Sequence, residues 1–119
     1  MTTAVAPAAL VEELRTALGR ERVRTGATEL NLYRRDGSNI EGRSSIVAFP
    51  TTTEEVQACV LAARRYGVAF VARGSGTGLA GGAVPLDGAL VIVTTKMNRI
   101  LSVDLDARQA WVEPGRAWP

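Results

Sequence analysis

Apolar residues recur along this chain in two rhythms, a helical one and a strand one, and the change between them sketches the elements. Leu10, Val11, Leu14 and Leu18 fall at helical spacing, with Glu12, Glu13 and Arg15 between them. Pro7 suits the start of such a helix and Gly19 its end, so the spacing predicts an amphipathic helix over 8–18. Residues 20–45 are polar, with four arginines between Arg20 and Arg34 and turn signals at Asp36-Gly37-Ser38-Asn39 and Glu41-Gly42. An irregular segment is expected there, with at most one helical turn around Glu29 to Tyr33. Ile46-Val47-Ala48-Phe49 is then a short apolar run ended by Pro50, the signature of a buried strand. Thr52 and Glu55 stand three apart ahead of Val56, Val60, Leu61 and Ala63, which predicts a capping box and a helix running to about Tyr66 and stopping at Gly67.

Val68 to Ala72 predicts a second strand, and the strand–helix–strand unit so formed predicts that its two strands run parallel. Ala89 to Thr94 is apolar on both faces and predicts a buried third strand. Ile100 to Leu105 and Gln109 to Glu113 alternate in period two around Asp106-Ala107-Arg108, the pattern of a β-hairpin. The chain then ends on Glu113-Pro114-Gly115-Arg116-Ala117-Trp118-Pro119, a turn-like stretch with no closing element, so a domain cut short is expected.

Residues 73–85 fit no rhythm. They read Arg-Gly-Ser-Gly-Thr-Gly-Leu-Ala-Gly-Gly-Ala-Val-Pro, with five glycines in nine positions (Gly74, Gly76, Gly78, Gly81, Gly82). Glycine has the most backbone entropy to lose in a helix or strand. It excels at bringing several N–H groups near a ligand with no Cβ in the way, and a curved row of such donors binds anions, phosphates above all. A flexible linker is the competing explanation, but linkers are polar. This loop holds Leu79, Ala80, Ala83 and Val84 between two apolar runs.

Composition removes several chemistries. There is no histidine among the 119 residues. That excludes Ser-His-Asp triads, Cys-His pairs, histidine-ligated zinc and a histidine base within them. Cys59 is the sole cysteine, so neither an internal disulfide nor a cysteine metal site is expected, and its helical setting predicts a buried, inert thiol. The net charge of +2 comes from scattered arginines without interleaved aromatics, which argues against a nucleic-acid surface. The first ten residues carry neither the basic start nor the apolar stretch of a signal peptide or membrane span, so a cytoplasmic location is expected.

Three phosphate-loop templates compete. Gly76 and Gly81 have the spacing of a P-loop, but Gly82 stands where its lysine must be. Gly76, Gly78 and Gly81 match the dinucleotide fingerprint Gly-x-Gly-x-x-Gly. Pro85, Asp87 and Gly88 then forbid the helix that fingerprint requires, and the next strand ends in Thr94-Thr95-Lys96 without the acidic residue. The third template is a run of four blocks: Pro50-Thr51-Thr52-Thr53-Glu54-Glu55-Val56, the loop from Arg73 to Pro85, Met97-Asn98-Arg99-Ile100, and Val112-Glu113-Pro114-Gly115. In this order and spacing they resemble the N-terminal part of the FAD-binding domain of the vanillyl-alcohol oxidase / p-cresol methylhydroxylase (PCMH) flavoproteins. Glycolate oxidase large subunits and D-lactate dehydrogenases are the most similar members.

The resemblance implies an α+β fold: an N-terminal helix and irregular segment over 1–44, then the first, incomplete part of a PCMH-type domain over 45–119. It implies that the loop wraps the pyrophosphate of FAD. Gly74, Ser75, Gly76, Thr77 and Gly78 would form the cradle, with Leu79 beside it and Gly81 and Gly82 on the return path. Arg73 would lie near the diphosphate or pair with a neighbouring carboxylate to brace the loop. Pro50 would sit beside the cofactor or merely end its strand, and Asn98 would make a turn. Some members hold FAD through a histidine; none is present here, so non-covalent binding is implied.

The resemblance further implies a role in an FAD-linked oxidoreductase acting on a 2-hydroxy acid. The substrate domain lies beyond these residues, so no catalytic or metal-binding residue is expected here and the chain alone is not expected to turn over. The remainder of the enzyme or a partner chain would complete it. The alternatives are a non-catalytic flavin or nucleotide-binding module, or an inactive remnant whose unfinished sheet exposes strand edges.

Overall fold

The computed structural model describes residues 5–116. The first helix, α1 (Ala8–Leu18), buries Leu10, Val11, Leu14 and Leu18 on one face, as their spacing predicts. A short 3-10 turn (Arg20–Arg22) leads into β1 (Val23–Arg24), and α2 (Ala27–Leu32) follows. Then come β2 (Ser44–Ala48), α3 (Thr53–Arg65), β3 (Phe70–Arg73), β4 (Ala89–Val93), β5 (Ile100–Asp104) and β6 (Gln109–Val112). The expectations for residues 1–4 and 117–119, including the turn-like terminus past Arg116, lie outside the described residues.

The main sheet has the order β1-β2-β4-β3. Both β2 and β3 run parallel to β4, so the predicted parallel relation holds, with the third strand inserted between the other two. β4 is buried along its whole length and alternates its side chains between two cores. Leu90 and Ile92 join Ile46, Ala48 and Cys59 under α1 and α3, while Val91 and Val93 join Val47 on the opposite face, where Leu30, Tyr33 and Phe49 pack. Helix, sheet and the α2 segment form three layers, with α1 and Val23 in the first core and Leu30 and Tyr33 in the second. The β5–β6 hairpin forms a separate two-stranded sheet.

The ends of α3 show how local chemistry sets its limits. Thr52 Oγ1 accepts the Glu55 N–H at 3.1 Å, one half of the predicted box. The other half departs from prediction: Glu55 accepts the Thr51 hydroxyl at 2.7 Å and pairs with Arg22 at 2.7 Å. The carboxylate thereby ties the 3-10 turn to α3 instead of closing on Thr52. At the far end, Gly67 adopts φ +65°, its N–H donates to the Arg64 carbonyl, and the Val68 N–H donates to that of Ala63. This is a Schellman stop, in which only glycine takes the left-handed position without strain.

Candidate functional site: a glycine-rich crossover

Because β2, β3 and β4 are parallel, their carboxyl ends lie along one edge, and in open parallel sheets that edge is where ligands sit. Pro50 lies there, buried just beyond β2. Arg73 is the last residue of β3, and Gly74 to Gly88 carry the chain from that edge back to the start of β4. Parallel neighbours need a crossover, usually a helix. Here the glycine-rich loop is itself the crossover.

Its glycines do two different things. Gly76 and Gly81 both have φ +78°, a left-handed conformation that sets the curvature of the loop. A Cβ on Gly76 would collide with the guanidinium of Arg73, and one on Gly81 would lie 3.0 Å from Ile40. Gly74, Gly78 and Gly82, by contrast, face open space within 4 Å. Among the described residues, no main-chain N–H from Gly74 to Ala80 donates a hydrogen bond within the chain. The result is an uncovered run of donors flanked by Ser75 and Thr77, whose hydroxyls lie 3.4 Å apart. Leu79 beside it is strongly exposed.

Arg73 braces the loop without the carboxylate that was expected as its partner. Its side chain is buried, donates to the Arg35 carbonyl at 2.5 Å, and lies 5.0 Å over the ring of Tyr33. The brace is a carbonyl and an aromatic face, and among the described residues no carboxylate pairs with it. Tyr33 in turn meets Phe49 edge-to-face at 5.6 Å, which links the loop to the second core.

Sequence reasoning passed over the floor of the site. The Gly37 N–H donates to the Gly78 carbonyl at 2.8 Å, and a Cβ at Gly37 would lie 2.9 Å from the carbonyl oxygens of Thr77 and Gly78. The Arg43 N–H donates to the Pro85 carbonyl at 2.9 Å, and Gly42 lies so near that carbonyl that a Cβ would overlap it. Asp36 is buried between these contacts. Its carboxyl is held below the usual carboxylate range, first by the Ser38 hydroxyl and N–H, with the N–H groups of Ala83 and Gly81 adding to them against burial. Asp-x-Ser at 36–38 is a local turn signal. Nothing local reveals that the turn faces a loop forty residues on.

The third and fourth sequence blocks clasp one another. Arg99 donates its backbone N–H, Nε and Nη2 to the Glu113 carboxylate at 2.9, 2.9 and 2.7 Å. That pairing with Arg99 holds Glu113 below the ordinary carboxylate range. The Gly115 N–H donates to the Met97 carbonyl at 2.8 Å. Asn98 lies in this connection between β4 and β5. Cys59 is fully buried in the first core and its thiol is pushed up to about 11, chiefly by burial, as expected of an inert thiol. Among the described residues no group of metal-ligating side chains occurs and no helix is long and apolar enough to cross a membrane.

Comparison with known proteins places this geometry. A family model described as an FAD binding domain matches residues 44–119, and the chain belongs to that family. D-2-hydroxyglutarate dehydrogenase of Stutzerimonas stutzeri (strain A1501) is 37% identical over 108 residues, covering 90% of this chain and 23% of that protein. Glycolate oxidase subunit GlcD of Escherichia coli (strain K12) is 38% identical over 88 residues, 73% of this chain and 18% of that protein. Among solved structures, 4-ethylphenol oxidase from Gulosibacter chungangensis in complex with isoeugenol aligns with a TM-score of 0.83 at 30% identity, over 96% of this chain and 24% of its own. Substrate-bound p-cresol methylhydroxylase aligns with a TM-score of 0.82 at 26% identity, over 95% of this chain and 24% of its own. The fold is therefore the N-terminal part of the PCMH-type FAD-binding domain, and FAD is the cofactor of the family. The chain spans about a quarter or less of these relatives' lengths.

Proposed function

We propose that the loop from Gly74 to Gly82 receives the pyrophosphate of a non-covalently held FAD, as part of an FAD-linked oxidoreductase that acts on a 2-hydroxy acid. The observation that carries this reading is the uncovered row of main-chain donors from Gly74 to Ala80 at the carboxyl edge of three parallel strands. The open space over Gly74, Gly78 and Gly82 fits a ligand that a side chain there would exclude. Ser75 and Thr77 add hydroxyl donors, while Gly76 and Gly81 shape the turn. Arg73 supports the loop from beneath through Tyr33 and the Arg35 carbonyl, with its guanidinium against Gly76.

When bound, the flavin supplies the hydride-accepting centre, and these residues bind and orient it. No side chain of the loop is suited to proton transfer, and the buried Cys59 thiol, raised to about 11, is no nucleophile at neutral pH. The 2-hydroxy-acid assignment rests on the dehydrogenase and oxidase relatives named above.

FAD titrated into the purified chain, followed by flavin fluorescence, tests the reading. Binding should be competed by ADP, which carries the pyrophosphate, and not by riboflavin, which lacks it. Gly74→Val should abolish it. Unchanged FAD affinity in that variant removes the loop from the cofactor site.

A further inference from the structure

Main-chain amides cradle a pyrophosphate without neutralising it, so the cations near the loop matter. Two of them stand on one aromatic pair at the carboxyl edge of the sheet. The Arg73 guanidinium lies 5.0 Å over the ring of Tyr33, Tyr33 meets Phe49 edge-to-face, and the Lys96 ammonium lies 6.0 Å from the centre of the Phe49 ring. Phe49 directly precedes Pro50 and Arg73 directly precedes the glycine loop, so the row runs from the end of β2 to the end of β3 past the end of β4. Among the described residues no carboxylate pairs with either cation, whereas Arg34 and Arg35 nearby both pair with Glu41. We propose that Lys96 is a binding residue for FAD: its ammonium leaves the Phe49 ring to meet the charge of the pyrophosphate held by Gly74 to Ala80. The inference rests on the loop being the FAD site.

The backbone beneath Lys96 is fixed to the root of the loop. Val93, the last residue of β4, stands opposite Arg73 in register. The Thr94 N–H donates to the Arg73 carbonyl at 2.8 Å, and the Thr94 hydroxyl donates to the same oxygen at 3.3 Å. The chain then turns, because the Met97 N–H donates to the Thr94 carbonyl at 2.9 Å and leaves Thr95 and Lys96 at the two central positions. From the far side the Gly115 N–H holds the Met97 carbonyl at 2.8 Å, so close that a Cβ on Gly115 would overlap the Thr94 carbonyl. The turn that carries Lys96 thus hangs from the residue at which the glycine loop begins. Its side chain is free by comparison. Lys96 is exposed, its stem is long and flexible, and a cation over a ring at an exposed site is weakly held. Arg73 brings its charge from beneath Gly76 and is committed to the Arg35 carbonyl. Lys96 is the member of the pair that can reach outward.

The test titrates FAD into the parent chain, Lys96→Met, Lys96→Arg and Arg108→Met, each at about 0.01 M and about 1 M salt. Lys96→Met should bind about tenfold more weakly at low salt, and the gap should shrink to about twofold at high salt, where charges are screened beyond roughly 3 Å. Lys96→Arg keeps the charge and should stay within about threefold of the parent. Arg108→Met removes the same net charge from the hairpin turn and should bind as the parent does, which separates a contact at the loop from the field of the whole molecule. Both positions are exposed, so melting temperatures should stay alike. Equal affinity in the parent and Lys96→Met at low salt overturns the proposal. So does a loss of the same size at both salts, or one that Arg108→Met shares. A parent chain that binds no FAD refutes the cofactor reading, and the role of Lys96 with it. A parent whose FAD binding is lost in Gly74→Val but indifferent to Lys96 keeps the cofactor reading and removes only the lysine.

Discussion

Gly76 and Gly78 stand two residues apart in one loop, and the structure assigns them opposite sensitivities. Alanine at 76 meets two costs. At φ +78° an L-residue is disfavoured by roughly 1–2 kcal/mol relative to the right-handed region. Its Cβ would also displace the Arg73 guanidinium, ending a charged hydrogen bond of the kind worth about 1.5–3 kcal/mol. The two overlap, because Arg73 can relax, so a net loss of about 2–4 kcal/mol is expected. In a domain of this size that lowers Tm by roughly 4 °C for each kcal/mol. Alanine at 78 meets nothing within 4 Å and needs no left-handed backbone. It should leave Tm unchanged or raise it slightly, since removing glycine stiffens the unfolded chain by about 0.4–1 kcal/mol. On FAD binding the second variant should suffer directly, losing tenfold or so in affinity as its methyl enters the ligand's path. Differential scanning calorimetry and a flavin titration on both variants decide the matter. A Tm drop of equal size in the two, or Gly78→Ala binding as the parent does, refutes the division of labour among the glycines.

Other predictions are more local. Glu55 has a folded pKa lowered mainly by its hydrogen bond to Arg22, so the stability it contributes is present above the unfolded carboxylate value and is lost as pH falls through the folded one. Urea midpoints measured from pH 6 to pH 3 should fall more steeply in the parent than in Arg22→Met, and parallel curves would dismiss the pair as a stabilising element. Cys59 should resist aromatic disulfide reagents at neutral pH until urea unfolds the chain, because burial both raises its pKa to about 11 and blocks access. Fast labelling of native protein would contradict its place in the first core. Gly42→Ala should lower Tm more than Gly67→Ala: the first forces the Pro85 carbonyl away and breaks its bond to Arg43, whereas the second adds only left-handed strain of about 1–2 kcal/mol in open space.

The apolar spacing of α1 coincides with the face that packs, whereas α3 buries Cys59, Ala62 and Ala63 and leaves the expected Leu61 exposed, and α2 starts before its expected turn. α1 begins and ends where Pro7 and Gly19 predict. The second strand was expected at Val68–Ala72 and forms at Phe70–Arg73, because Val68 closes the Schellman stop of α3 and packs into the first core before pairing begins. The two-residue β1 had no local signature; it exists because Val23 and Arg24 line up with Ala48 and Val47 of β2. The loop was legible as a phosphate cradle from glycine density and from the four-block resemblance. Its floor was not. Gly37 and Gly42 read as parts of ordinary turns, since their neighbours across the site are Gly78 and Pro85, and contacts across such separations leave no periodic trace. The hairpin alternation was legible too, yet alternation promises one buried face, and here Trp111 is 71% exposed and Leu105 84%.

The glycine crossover also constrains the order in which the sheet can assemble. β4 is made after both strands it joins, and it must insert between them with residues 74–88 traversing the sheet from one edge to the other. Until it does, β2 and β3 hold apolar edges open with no partner between them, the condition in which partly folded chains associate. Closing so glycine-rich a loop carries a large entropic cost, so insertion of β4 should be the slow step. A molecule that gathers the loop amides would then act on that step as well as on the finished site. Refolding in the presence of FAD or ADP should be faster, not merely more complete, and the cofactor would serve the young chain as a template.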